Sequence, residues 1–368
     1  MSSHAYLSPS SSERWISCPP SVKLSEKFQE EFSSYAREGT CAHSLCEHKL
    51  KELLGLDTKD PREDLDFYNE EMEECAESYA AYVMEIISRY KEPLVLVEQR
   101  LDLSKFVPNS FGTADSIVVA DDEIHVIDYK HGQGIMVEAN NNTQLMLYGL
   151  GALHLFDGIY DFKKVIMHIF QPRRDNISSF EIDTEALYKW AEEVIIPQAN
   201  LAINGEGNFK AGGWCHFCKA KNICRERANV VLEVAREEFK LPPLLTDAEV
   251  ENALKYVEQM ESWITDIREY ALAKALQGKK WTEFKLVEGR SNRKYVNEDK
   301  VAQIVKAEGY EPYDQKLKGI TDMTKLLGKK KFEDLLSNFI EKPKGKPTLV
   351  ARSDKRKEIE TVKEEFAE

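Results

Sequence analysis

The chain has 368 residues, of which 42% are apolar and 31% are charged, and its formal net charge at pH 7 is −14. This length allows two folded domains, and the composition is that of a globular protein rather than of a fibrous or disordered chain. No stretch approaches the roughly 20 consecutive apolar residues that cross a bilayer, and the polar N-terminus lacks the apolar centre of a secretory signal. The sequence therefore predicts a cytoplasmic protein without membrane contact.

In chain order, the hydrophobic pattern predicts two helices, three strands, a helix, two further strands and a helix. The predicted helices cover 35–54, 65–90, 140–155 and 184–204, and the predicted strands cover 94–101, 113–120, 123–129, 164–170 and 178–182. Asp121 and Asp122 are expected to form a hairpin turn between the second and third strands. This order of elements is typical of an α/β sandwich with a mixed central sheet.

A second region begins beyond the prolines at 242 and 243. We assign residues 1–230 to a first domain, 231–341 to a mainly helical accessory region, and 342–368 to a charged tail that we expect to be disordered. The segment 314–357 contains 13 Lys and Arg against 6 Asp and Glu. Such a run could add sequence-independent affinity for nucleic acid, although charge runs are more often solvated surface.

Two aspartates fall on the strands that the predicted hairpin joins. Asp115 and Asp128 are about equally distant from the turn, and like charges opposed on a sheet repel unless a cation lies between them. Hard oxygen ligands of this kind suit Mg²⁺ or Mn²⁺. Lys130 follows Asp128 by two residues and shares its face of the strand, so it could orient water or stabilise a phosphoryl transition state. A chance ion pair at a strand end would explain an isolated Asp-x-Lys equally well.

Four short motifs occur in a fixed order. They are Gly39-x-x-x-His43, Gly112-Thr113-Ala114-Asp115, Asp128-Tyr129-Lys130 and Gln144-x-x-x-Tyr148. As an ordered set they resemble the RecB-like nucleases of the PD-(D/E)XK superfamily. The resemblance covers residues 7–227 and implies a restriction-endonuclease-like α/β core, with a mixed central sheet flanked by helices and a helical C-terminal region.

The resemblance also implies a role for each residue. His43, Asp115, Asp128 and the backbone carbonyl of Tyr129 are implied as ligands of Mg²⁺ or Mn²⁺. Lys130 is implied as the catalytic lysine, with the two aspartates as its catalytic partners. If His43 stood alone, a capping or core histidine would be the better interpretation.

Gln144 and Tyr148 lie at positions i and i+4, on one face of a predicted helix. The resemblance implies that both belong to the catalytic group and support the lysine or contact DNA. For Tyr148, plain core packing remains the alternative. Glu98, on the strand before the two aspartates, is expected to act behind the metal ligands rather than as one of them.

Seven cysteines in a cytosolic chain argue against a disulfide framework. Cys215, Cys218 and Cys224 are closely spaced, and a fourth thiolate from Cys18 would complete a metal site. From the residues alone, Zn²⁺ is also possible, with Cys18 or His216 as the fourth ligand. RecB-like nucleases of the AddB and CRISPR-adaptation type have one cysteine before the nuclease core and three after it. That similarity implies a [4Fe-4S] cluster on the four cysteines, with Zn²⁺ as the less favoured occupant.

The resemblance implies a metal-dependent DNA nuclease of the phage or prophage type, and an exonuclease rather than an endonuclease, acting in recombination, repair or replication. The expected substrate is DNA with ends or single strands. Because no Walker-type loop is present, any helicase or recombination partner must be a separate polypeptide. The alternative is a non-catalytic DNA-binding or scaffold protein that keeps the fold and the cluster. A redox-sensing iron–sulfur protein is a third hypothesis, but it leaves the carboxylates and the lysine unexplained.

Overall fold

The structure is a computed structural model that describes residues 5–28, 34–230, 247–285, 287, 300, 302–303, 306, 320–336 and 339–340. The chain divides into two compact units, Met1–Lys274 and Ala275–Glu368. The expected disordered tail at 342–368 lies outside the described residues, and the domain bounds at 230 and 341 stay predictions. Within the described part of the chain, no helix is long and apolar enough to cross a membrane.

The first unit contains a five-stranded mixed sheet. Its strands are β1 (Leu94–Asp102), β2 (Phe111–Ala120), β3 (Glu123–Tyr129), β4 (Lys164–Gln171) and β5 (Asn176–Asp183). They are ordered β1-β2-β3-β4-β5, and every neighbouring pair is antiparallel except the parallel pair of β3 and β4. The predicted mixed α/β architecture is confirmed at this level.

Helices flank the sheet. The helices of the first unit include α1 (Ser12–Ser17), α2 (Ser21–Ser25), α3 (Ser34–Leu53), α4 (Glu70–Ile87), α5 (Thr143–Leu155), α6 (Thr184–Trp190), α7 (Ile196–Asn204) and α8 (Asp247–Leu276), which ends just beyond it. In the second unit, α9 (Ile320–Leu327) and α10 (Lys329–Leu336) are joined at Gly328, whose φ of +75° is a left-handed conformation that favours glycine.

Two hydrophobic cores lie on opposite faces of the sheet. Ile117 and Val119 of β2 pack in the core that contains α5, whereas Val118 between them packs in the core that contains α3 and α4. Successive side chains on a strand point to opposite faces, so the second half of β2 is buried on both sides, and its residues 117–120 are all apolar. The sheet is therefore the middle layer between α3 and α4 on one side and α5 on the other.

The helix predicted at 184–204 is interrupted. A π-helical turn at Ala191–Ile195 separates α6 from α7. Pro197 has no backbone N–H and cannot donate to the carbonyl of Glu193, so regular α-helical hydrogen bonding fails at this turn.

A chain of hydrogen bonds connects the sheet with α4 near the hairpin turn. The O–H of Tyr90 donates to Glu123, so its oxygen accepts from Nε2 of His125 at 2.7 Å. Nδ1 of His125 then accepts from Nε2 of His168 at 3.0 Å, and Nδ1 of His168 accepts from the O–H of Tyr82 at 2.9 Å. Burial lowers the pKa of His125 to about 4 and that of His168 to about 3.

We expect acid to destabilise the fold through this histidine pair. The unfolded chain binds protons near the ordinary histidine pKa of 6.5, whereas the folded pair stays neutral until pH approaches 4. The pair's contribution to stability is therefore complete above pH 6.5 and is lost as the pH falls toward 4. Urea denaturation should show a loss of roughly 2 kcal/mol or more in the free energy of unfolding between about pH 7.5 and pH 5.

The control is the double variant His125→Asn/His168→Gln, which removes both titrating imidazoles. Its free energy of unfolding should change less than that of the wild type over the same pH range. Equal losses in the two proteins would assign the acid sensitivity to other groups.

Candidate active site

The two predicted carboxylates meet at one end of the sheet. Ser116 pairs with Ile127 at the last paired position of β2 and β3. The next residues, Asp115 and Asp128, therefore stand at the same level on neighbouring strands, as the hairpin pattern predicts. Burial raises the pKa of Asp128, which is 2% exposed, even though Lys130 acts in the opposite direction.

His43 projects from α3 onto Asp115. Its Nδ1 lies 3.1 Å from Oδ1 of Asp115, and Oδ2 of the same carboxylate accepts a 2.7 Å hydrogen bond from the backbone N–H of Tyr129. Burial alone would lower the pKa of His43, but the charge of Asp115 outweighs this effect and raises the pKa to about 9. The same interaction holds the pKa of Asp115 below its usual range, against the effect of burial. His43 therefore belongs to the same cluster of polar side chains as Asp115.

Glu98 adds a third carboxylate from β1. Val97 pairs with Ser116 and Gln99 pairs with Ala114, so Glu98 lies opposite Asp115. Its φ of +50° is left-handed, an uncommon conformation for a residue other than glycine and one often found at functional sites. Burial and the charge of Asp115 raise the pKa of Glu98 to about 7.

One ligand atom from each of His43, Glu98 and Asp115 lies within 4.8 Å of the other two. Across the described residues, this is the only group of three His, Cys, Asp or Glu side chains with such spacing. Glu98 was expected behind the metal ligands, and the structure brings it among them. In the sequence, Glu98 is an acidic residue directly after the apolar run 94–97, but this pattern does not indicate its left-handed backbone conformation.

Lys130 lies beside Asp128 and is tied to α5. Its Nζ is 2.7 Å from Oδ2 of Asp128 and donates a 3.1 Å hydrogen bond to Oε1 of Gln144. Nε2 of Gln144 donates to Oδ1 of Asp128 at 3.0 Å and to the hydroxyl of Tyr148 at 3.1 Å. The aspartate, the lysine, the glutamine and the tyrosine thus form one hydrogen-bonded network.

Tyr129 stands between these two groups. Its backbone N–H holds Asp115, while its fully buried side chain packs in the core with α3 and α4 and its hydroxyl lies 2.8 Å from Nδ1 of His131. The expected role of its backbone carbonyl as a metal ligand stays a prediction.

Gly112 explains why one motif begins with glycine. A Cβ at this position would lie 2.6 Å from Cε1 of Tyr148 and 2.8 Å from Cγ of Pro9. The strand before Asp115 thus passes so close to α5 and to the N-terminal segment that no side chain fits. Gly39, in the motif of His43, has no atom within 4 Å of its Cβ position, so steric crowding does not explain that glycine.

The four cysteines of the second predicted site come together. Cys18, Cys215, Cys218 and Cys224 line one small cavity, and all four are free thiols. Backbone N–H groups donate to two of the sulfurs, from Lys210 to Cys18 at 3.5 Å and from Gly212 to Cys215 at 3.4 Å. Cys18, from the N-terminal segment, therefore lies at the same cavity as the three cysteines of the segment 215–224.

The cysteine segment is joined to α8 by a buried ion cluster. Asp266 of α8 is 5% exposed and forms ion pairs with Lys221, at 3.1 Å, and with Arg227. Arg227 also donates to Oγ of Ser262 at 2.9 Å. No sequence pattern indicates this link, because the partners are about 40 residues apart and carry common charged side chains.

The chain belongs to the family described as "Protein of unknown function (DUF2800)", whose model matches residues 4–357. A solved structure titled "Crystal structure of SSO0001" is 20% identical over a match that covers 50% of this chain and 95% of that chain, with a TM-score of 0.22. A similarity at this TM-score carries no argument about fold or function.

We expect Gly112→Ala to destabilise the protein by about 1 to 3 kcal/mol, because the new methyl group overpacks the contact with Tyr148 and Pro9. Gly39→Ala is the matched control, since its methyl group enters open space within α3. It should leave stability unchanged or raise it by about 0.5 to 1 kcal/mol. Chemical denaturation measures both, and a Gly112→Ala protein as stable as the wild type would contradict the close approach.

Proposed function

We propose that the protein is a divalent-cation-dependent DNA nuclease with a PD-(D/E)XK core, similar to the RecB-like nucleases. The observation that carries the proposal is the meeting of two groups at one end of β2 and β3. The first is the ligand group of His43, Glu98 and Asp115. The second is the network of Asp128, Lys130 and Gln144.

The residues fit a hard divalent cation. His43, Glu98 and Asp115 would hold it, and carboxylate-rich sites with few nitrogen ligands suit Mg²⁺ or Mn²⁺. Asp128 stands next to them, and its Oδ2 is 2.7 Å from the ammonium group of Lys130. Three carboxylates this close repel one another, and a cation would relieve that repulsion. When bound, the cation would polarise a phosphate oxygen and lower the pKa of a water molecule.

Lys130 would stabilise negative charge on the phosphate. Its ammonium group is held between Asp128 and Gln144, so it keeps its position without reorganisation during the reaction. Gln144 is in turn oriented by the hydroxyl of Tyr148. Tyr148 therefore acts as a positioning residue, and its predicted place in the catalytic group rests on this contact.

DNA as the substrate, attack at strand ends and a separate helicase or recombination partner rest on the resemblance to RecB-like nucleases. An acidic chain with a net charge of −14 can still bind DNA, because only the local potential around the site must be positive.

End-labelled linear DNA and circular DNA, incubated with Mg²⁺, Mn²⁺ or chelator, test the proposal. Lys130→Ala and Asp115→Ala should each lower the cleavage rate by about a hundredfold to a thousandfold, because each removes transition-state or cation stabilisation. Asp122→Ala, in the exposed hairpin turn at the other end of β2 and β3, is the matched control and should cleave like the wild type.

Selective loss of linear DNA indicates an exonuclease, and loss of both substrates indicates an endonuclease. A wild-type protein that binds DNA but leaves every substrate intact would contradict the nuclease proposal and favour the scaffold alternative.

For the cysteine site we propose a [4Fe-4S] cluster on Cys18, Cys215, Cys218 and Cys224. Four thiolates around one ion with zinc–sulfur bonds of about 2.3 Å would bring their sulfurs to about 3.8 Å from one another. Although the four cysteines line one cavity, no three described cysteine sulfurs lie within 4.8 Å of each other. A larger cluster, with several metal atoms between the thiolates, suits this wider arrangement better than a single ion.

Anaerobic purification with iron and sulfide analysis tests the assignment. Cys18→Ser should lose most of the iron and lower the melting temperature, because the cluster joins the N-terminal segment to the segment at 215–224. Cys41→Ser, on α3 outside this cavity, is the matched control and should keep the iron. A wild-type protein that contains one zinc ion and no iron would make the iron–sulfur assignment wrong.

A further inference from the structure

The loop between β3 and α5 begins and ends at the candidate site. It covers residues 131–142, directly after Lys130 and just before Gln144 in the first turn of α5. The 3.1 Å hydrogen bond between these two side chains closes the loop at its base. The loop therefore borders the candidate site at Lys130 and Gln144.

The backbone of the loop is fixed by side chains of the sheet. Gln171, which is 1% exposed, donates to the carbonyls of Gly132 at 2.7 Å and Ile135 at 2.8 Å, and accepts from the N–H of Val137 at 3.1 Å. Asn176 donates to the carbonyl of Val137 at 2.7 Å. These hydrogen bonds hold the backbone on both sides of the loop tip and restrain its conformation.

The tip of this loop is apolar and exposed. Ile135 is 50% exposed and Met136 is 48% exposed. Single exposed apolar residues are ordinary on protein surfaces. Two adjacent ones next to a polar site form a small apolar patch that becomes buried only when another molecule binds to it. Arg174 lies beside them, because its Nη1 donates a 2.6 Å hydrogen bond to the carbonyl of Gln133 while the residue stays exposed.

We propose that Ile135 and Met136 pack against unstacked bases of the DNA strand that enters the candidate site, while Arg174 binds a backbone phosphate. The proposal rests on the nuclease function and specifies its substrate as single strands or frayed duplex ends. Paired bases inside a duplex are stacked and offer no apolar face, whereas bases of a single strand or an open end do.

Binding in the presence of chelator separates this proposal from catalysis. The probe is a single-stranded oligonucleotide with 2-aminopurine near its end, whose fluorescence reports base stacking, and a blunt duplex of the same sequence is the comparison. The wild type should bind the single strand more tightly than the duplex and change the fluorescence. Ile135→Ala/Met136→Ala should weaken single-strand binding about tenfold and abolish the fluorescence change.

Two controls accompany the double variant. Ile159→Ala removes a more exposed apolar side chain beyond the other end of α5 and should bind like the wild type. Ile135→Leu/Met136→Leu keeps the loop tip apolar and should bind the single strand like the wild type. Arg174→Gln should reduce the dependence of log affinity on log salt by about 0.7 for the single strand, as the loss of one phosphate contact requires.

Unchanged affinity and fluorescence in the double alanine variant would overturn the base-packing proposal, and the apolar tip would then be a surface for a protein partner. That result leaves the nuclease proposal intact. A wild type that binds neither oligonucleotide would overturn the proposals for both the loop and the DNA substrate.

Discussion

The carboxylate of Asp115 is the interaction on which the arrangement of the candidate site depends. One of its oxygens faces His43 of α3, and the other accepts the backbone N–H of Tyr129 of β3. Glu98 of β1 lies opposite it on the neighbouring strand. A single buried charge thus connects one helix and three strands. The free-energy cost of burying this charge is offset by His43 and by the backbone N–H of Tyr129. A bound cation would offset the remaining repulsion from Glu98.

The other half of the site depends on how closely α5 approaches the sheet. Because Gly112 has no side chain, the ring of Tyr148 can lie against β2 and Pro9. Tyr148 then orients Gln144, and Gln144 holds both Lys130 and Asp128. Tyr148 therefore has two functions: its ring packs against Gly112, and its hydroxyl accepts the hydrogen bond that orients Gln144. This is why the glycine, the glutamine and the tyrosine occur as a set, although each is an ordinary residue in its own element.

Strands with strong hydrophobic patterns could be predicted from the sequence, since β3 begins and ends where the pattern places it. The hairpin register could also be predicted, because a two-residue turn fixes which aspartates face each other. Glu98 could not be assigned as a ligand, since its position depends on a left-handed backbone conformation that no local pattern indicates. The pairing of His125 with His168 was equally hidden, because it depends on the parallel neighbourhood of β3 and β4.

The two ends of β3 differ in the charge of their buried side chains. At the hairpin end, His125 must stay neutral, because burial lowers its pKa and its hydrogen bonds use both ring nitrogens. At the other end, Asp128 and Lys130 place charges at the surface of the core, where burial is unfavourable unless partners or a ligand compensate for it. A short, fully buried strand between them keeps the two ends apart. One end of β3 therefore contributes to stability through its histidine, and the other end holds the charged groups of the candidate site.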